Sequence, residues 1–133
     1  MLNADPVTLS KGKYRHFMEK EIFEQPEVIS QVLGFYLNAS KEALTLPPLP
    51  KSSQIKRIIL IGCGTAFYAC LVARYWFESL SGVPTHAELA SEFRYRSPVI
   101  STDDLLVFVS QSGETADTIG ALRFAKEHTK NIL

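Results

Sequence analysis

IKRIILIGCGT, residues 55–65, reads as a strand that runs straight into a turn of glycine, cysteine and threonine. Ile58–Ile61 is apolar at every position, as expected of a strand covered by helices on both faces rather than one whose residues alternate between core and solvent. The same grammar recurs at DLLVFVSQSGET, residues 104–115, where an apolar run again ends in a turn rich in glycine and hydroxyls. Working outward, the pattern predicts a helix over 66–80 ended by Gly82 and a second strand at Pro84–Glu88. A short helix at Ser91–Tyr95, a third strand at Leu105–Ser110, a helix over Thr115–His128 and the start of a fourth strand at Asn131–Leu133 complete the series. Strands separated by helices, with right-handed crossovers, imply an α/β fold: an open parallel sheet with helices on both faces and ligands outside the carboxyl ends of its strands. Both glycine turns lie at that end.

Before this sheet the organisation changes. Residues 1–13 carry Asn3, Asp5, Pro6, Ser10 and Gly12 without periodicity and read as a linker or tail. Phe17, Met18, Ile22 and Phe23 fit one face of a short helix over Tyr14–Glu24, and Pro26 suits the first turn of a second, with its stripe at Val28, Ile29, Val32, Leu33 and Tyr36. Three prolines within Leu46–Pro50, followed by Lys51, Ser52 and Ser53, interrupt any helix and set a boundary near residue 50. The expected layout is therefore a tail at 1–13, a helical arm with a Pro-rich connector at 14–50, and an α/β unit at 51–133.

Composition narrows the function classes. A chain of 133 residues with 46% hydrophobic and 21% charged side chains fits an ordinary soluble domain with one modest core. Lys plus Arg and Asp plus Glu number 14 each, so no net field favours nucleic acid or an acidic membrane, and any anion must be bound locally. The apolar run Ile58–Gly62 is too short to span a bilayer and residues 1–20 hold no secretory core, so the chain is read as cytoplasmic. Cys63 and Cys70 lack a second pair to complete a zinc site and read as reduced thiols; no metal and no cofactor is expected.

The turn Ser110-Gln111-Ser112-Gly113-Glu114-Thr115 combines hydroxyls, an amide and the free N–H groups of a starting helix, with Gly113 permitting a bend that a Cβ would hinder. Its plain alternative is helix capping by Ser112 or Thr115, with Glu114 favourable in the first turn, but the crowding of hydroxyls favours an anion site. A helix dipole contributes about 0.3–1 kcal/mol and each hydrogen bond to a charged phosphate about 1.5–3 kcal/mol, so several together hold a phosphate ester without a lysine. Gly62-Cys63-Gly64-Thr65 opens like a dinucleotide fingerprint, but Phe67 stands where the third glycine belongs and no G-x-x-x-x-G-K-[ST] loop exists, which disfavours nucleotides. Cys63, with no histidine nearby in sequence, reads as a small residue packing a tight turn rather than a nucleophile. His86, Glu88 and Glu92 are given no catalytic role; Tyr68, Trp76 and Phe77 read first as core, with Trp76–Phe77 a secondary contact candidate; His16 and His128 read as solvated, as do Arg94 and Arg96.

GCGT, ARYWFESLSG, ASEFRYR and SQSGETADT, with YRHFMEKEIFEQP upstream, together resemble the first sugar isomerase (SIS) domain of the glucosamine-6-phosphate synthase family, the glutamine–fructose-6-phosphate aminotransferases, over roughly Lys11 to Glu127. The resemblance implies a flavodoxin-like SIS fold and a phosphate site for fructose 6-phosphate or glucosamine 6-phosphate made by Cys63, Gly64, Thr65, Ser110, Gln111, Ser112 and Thr115. Ala66 stands where family members carry serine, so one hydroxyl contact is missing and only its backbone N–H remains.

No position here matches the family's glutaminase cysteine, its general base, its ring-opening histidine or its Schiff-base lysine. The chain is thus expected to be a piece of the domain, inactive alone, whose partners are the sugar phosphate and the rest of the synthase (glutaminase domain and second SIS domain). With a fourth strand only beginning at Leu133, the third strand is expected to lack a neighbour, which points to a homodimer or strand-exchanged oligomer. The alternative is a stand-alone SIS module that senses a sugar phosphate; no helix-turn-helix or basic face supports a regulator.

Overall fold

A computed structural model of the chain describes residues 10–37, 44 and 55–133. Residues 1–9 of the expected tail at 1–13, and the Pro-rich connector, lie outside the described residues. The chain divides into two compact units, Met1–Pro47 and Pro48–Leu133.

In the first unit α1 spans Phe17–Tyr36 as one helix of 20 residues with Pro26 inside it. The sequence predicts two helices here, because proline lacks the N–H that would bond the Ile22 carbonyl and its ring crowds that turn. Only one rung is lost, and good helix formers on both sides carry the helix through: Lys20 pairs with Glu24 at 3.5 Å and Gln31 Nε2 donates to Glu27 Oε1 at 3.3 Å. Lys20 is the buried residue of α1, its Nζ donating to the Ser10 carbonyl at 2.7 Å, while Tyr14 stacks on Phe23.

The second unit is a parallel sheet in the order β2-β1-β3, built from β1 (Arg57–Gly62), β2 (Thr85–Leu89) and β3 (Asp104–Val109). Its helices are α2 (Thr65–Ser81), α3 (Ala90–Phe93) and α4 (Ala116–Lys126), so this is the open α/β sheet that the sequence predicts. The uniform apolarity of β1 has a direct cause. Ile58 and Leu60 point to the face that carries Cys70 and Ala73 of α2; Ile59 and Ile61 point to the opposite face, where Ala90, Phe93, Leu106, Ala121 and Ala125 meet. A central strand packed on both sides must be apolar at every position.

Beyond β3, Asn131–Leu133 begins a fourth strand: Ile132 bridges Leu106 in parallel, and Leu133 N donates to the Leu106 carbonyl at 2.9 Å. The expectation that β3 lacks a neighbour is corrected along Leu106–Phe108, where these residues supply it. At the amino ends of the strands Arg57 Nε donates to Asp104 Oδ1 at 2.9 Å and its Nη2 also meets that carboxylate. Asp104 is buried, accepts the Ser101 N–H as well, and holds the Arg57 guanidinium above its ordinary pKa.

The aromatic face of α2 is a second correction. Tyr68 and Trp76 are each 65% exposed and Phe77 41%, against the reading of all three as core. α2 carries two apolar stripes, and the narrow one containing Cys70 and Ala73 faces the sheet, because small side chains let the helix approach.

Candidate functional site

Gly62 of β1 pairs with Val109 of β3, so Cys63 and Ser110 are the first residues past the sheet on two adjacent strands. From this shared level the chain leaves in opposite directions: β1 continues through α2 to β2 on one side, β3 through α4 to Ile132 on the other. That divergence opens a crevice at the carboxyl ends of β1 and β3, the position at which sheets of this order bind ligands. A cavity of about 320 Å³ occupies it, lined by Cys63, Gly64, Thr65, Ala66, Val109, Ser110, Gln111, Ser112, Thr115 and Thr118. Every residue expected at the site from the sequence is in that lining. His86, Glu88 and Glu92 are not; Glu88 instead pairs with Arg96.

Two close features hold the turns in shape. A Cβ on Gly62 would lie 3.1 Å from the backbone of Ala66 and of Phe67, so the first turn of α2 can press against the end of β1 only over a glycine. Gly113 sits at φ +69°, a left-handed conformation that lets the SQSGET turn fold back on itself. In that turn Ser110 Oγ accepts the Gly113 N–H at 3.0 Å and Ser112 Oγ accepts the Glu114 N–H at 3.1 Å. Each serine therefore fixes the loop as an acceptor and keeps its own O–H to donate.

Thr115 is the N-cap residue of α4, yet its side chain makes no capping hydrogen bond, which removes the capping alternative for this hydroxyl. The first intrahelical bond is Ile119 N to the Thr115 carbonyl at 2.9 Å, so the N–H groups of Ala116, Asp117 and Thr118 precede the ladder. Among the described residues no lining side chain carries a charge. The arrangement offers hydroxyl, amide and backbone N–H donors at the positive end of a helix, the chemistry of an oxyanion receptor. Asp117, in the first turn of α4, lies 3.8 Å from Arg94 Nη2.

The sequence reading missed Thr118. It is 6% exposed and its Oγ1 has no hydrogen-bond partner among the described residues. The signal was present in SQSGETADT, one turn into the helix from Thr115, where helical spacing returns a side chain to the same face. A larger open groove of about 820 Å³ adjoins the cradle, sharing Ser110 and Thr118 with it and continuing past Ile119, Leu122 and Ile132.

A family model described as "SIS domain" matches residues 52–133. The chain belongs to the SIS domain family. This SIS chain is 52% identical over 130 residues to the glutamine–fructose-6-phosphate aminotransferase (isomerizing) of Zymomonas mobilis, covering 97% of itself and 21% of that protein. It is 54% identical over 123 residues to the protein of the same name from Bartonella quintana, covering 92% of itself and 20% of that protein. Among solved structures the C-terminal domain of glucosamine-fructose-6-phosphate aminotransferase from Francisella tularensis superposes with a TM-score of 0.78 at 40% identity, over 93% of this chain and 35% of that one. The SIS chain thus spans about a fifth of the length of the curated relatives it matches.

Proposed function

We propose that the cradle at the carboxyl ends of β1 and β3 holds the phosphate of a phosphosugar, fructose 6-phosphate or glucosamine 6-phosphate. Cys63, Gly64, Thr65, Gln111 and the hydroxyls of Ser110, Ser112 and Thr115 supply the contacts. In this reading the chain is the phosphosugar-binding part of the isomerase region of a cytoplasmic glutamine–fructose-6-phosphate aminotransferase, which converts fructose 6-phosphate and glutamine to glucosamine 6-phosphate and glutamate. The observation that carries it is the meeting of the GCGT and SQSGET turns around one uncharged cavity at a helix N-terminus, in a chain about half identical to proteins of that name. No residue of this chain is given a catalytic role; bond making belongs to the remainder of such an enzyme, with which this part assembles.

Calorimetric titration with fructose 6-phosphate, glucosamine 6-phosphate and unphosphorylated fructose tests the reading. Saturable binding of the phosphorylated sugars alone is expected. Thr115→Val should weaken it about tenfold, since a hydroxyl bonded to a charged group is lost, and because that side chain caps nothing the loop is left intact. Ser112→Ala should do at least as much, since it also removes the acceptor of the Glu114 N–H. Equal affinity for fructose and its phosphate would refute the phosphate cradle. The homodimeric or strand-exchanged state belongs to the same proposal, and a strictly monomeric mass by light scattering would remove it.

A further inference from the structure

Thr118 carries a buried hydroxyl that no group among the described residues uses. It stands on α4, one turn inside the N-cap residue Thr115, and lines the cradle. Its side chain is 6% exposed, and among the described residues Oγ1 finds no partner. A helical threonine ordinarily turns this hydroxyl back to a carbonyl three or four residues earlier, here Thr115 or Glu114. Thr118 does neither. Buried hydroxyls are rarely left unpaired, because the desolvation is uncompensated.

We infer that Thr118 is a further ligand-binding residue of the cradle, its Oγ1–H donating to a phosphate oxygen seated at the N-terminus of α4. The inference rests on the phosphosugar reading and extends it inward. Ser110, Ser112 and Thr115 form the rim of the receptor, and Thr118 forms its floor. The chemistry suits this order. At neutral pH a sugar phosphate is mostly a dianion rich in acceptor oxygens, so a buried donor complements it, and the N–H groups ahead of the Ile119–Thr115 bond are further donors at the same helix end. Asp117 and Glu114 are the carboxylates nearest in sequence; Asp117 faces Arg94, Glu114 is exposed, and neither lines the cavity.

The test is calorimetric titration of the 133-residue chain with fructose 6-phosphate and, separately, with inorganic phosphate, using wild type, Thr118→Val, Thr118→Ser and Thr118→Ala. Thr118→Val, which keeps the shape and removes the hydroxyl, should weaken both ligands about tenfold or more. Thr118→Ser should stay within about threefold of wild type, since the donor is retained. The melting temperature of ligand-free Thr118→Val should equal or exceed that of wild type, because an orphaned hydroxyl is replaced by a methyl group. Unchanged affinity in Thr118→Val overturns the inference and leaves the phosphosugar reading standing. So does weakening of fructose 6-phosphate without weakening of inorganic phosphate, which would place the contact on the sugar. A drop in ligand-free melting temperature for Thr118→Val, with Thr118→Ala losing no affinity, assigns the hydroxyl to packing and also overturns it. Wild type that binds neither ligand overturns the phosphosugar reading itself, and this inference with it.

Discussion

Gly62 and Gly113 occupy the two turns for different physical reasons, and substitution separates them. At Gly113 nothing lies within 4 Å of an added Cβ, so the only penalty is the left-handed backbone at φ +69°. Gly113→Ala should cost about 1–2 kcal/mol, and Gly113→Asn less, because asparagine tolerates that conformation. At Gly62 the obstacle is steric: the added Cβ meets backbone atoms at 3.1 Å, and backbone cannot rotate away as a side chain can. Gly62→Ala should cost about 1–3 kcal/mol by overpacking, and should also weaken phosphosugar binding because the first turn of α2 must shift. Urea denaturation combined with titration distinguishes the two. Loss of stability without loss of affinity at Gly62 would show that the α2 turn is not part of the receptor. Ala66 belongs to the same turn and lines the cavity without a side-chain hydroxyl.

At the level of elements, α1 shows how a local rule is overridden. Proline inside a helix costs about 3 kcal/mol relative to alanine, yet the helix runs unbroken from Phe17 to Tyr36. Pro26→Ala should therefore raise helical content in far-UV circular dichroism and stabilise α1 by up to about 3 kcal/mol. Unchanged ellipticity and stability would mean that the neighbouring turns already absorb the lost bond. α2 teaches the complementary lesson. Its sequence offers a stripe of Tyr68, Val72, Trp76 and Leu80 and another of small residues, both at helical spacing, and the larger one is exposed. Periodicity identifies a stripe but not which stripe meets the sheet; that choice follows from how closely the helix must approach β1.

For the whole molecule, the two faces of the sheet contribute differently to stability as pH changes. Cys70 is 1% exposed between α2 and the sheet, and burial pushes its thiol above the ordinary 9.0. The native state then holds this proton more tightly than the unfolded chain. The stability linked to it is fully present below about pH 9 and is lost as pH rises through the native pKa. Denaturation midpoints should fall between about pH 8 and pH 10, and Cys70→Ala, although less stable at about pH 8 because it leaves a small cavity, should fall less. Equal falls in both proteins would show that other groups govern the alkaline limb. Below about pH 8 the thiol is protonated in both states and contributes no slope.

Much of this architecture is written in short-range pattern. The uniform apolarity of Ile58–Ile61 required helices on both faces, the Pro-rich run over Leu46–Pro50 argued against continued helix, and two glycine-hydroxyl turns after strands pointed to the carboxyl end of the sheet as the candidate site. These follow from local propensity and burial period, which act within a few residues. The tertiary structure decided what depends on distant partners. It made α1 continuous through Pro26, turned Tyr68 and Trp76 outward, and gave β3 a neighbour in Asn131–Leu133. It also set Gly62 level with Val109, so that two turns far apart in the chain share one cavity, and brought Thr118 into the lining of that cavity with a hydroxyl that has no partner among the described residues. Residue types singled out the two turns; register, and the direction in which each strand hands the chain to its helix, brought them around one cavity, because those are properties of the sheet and not of any one segment.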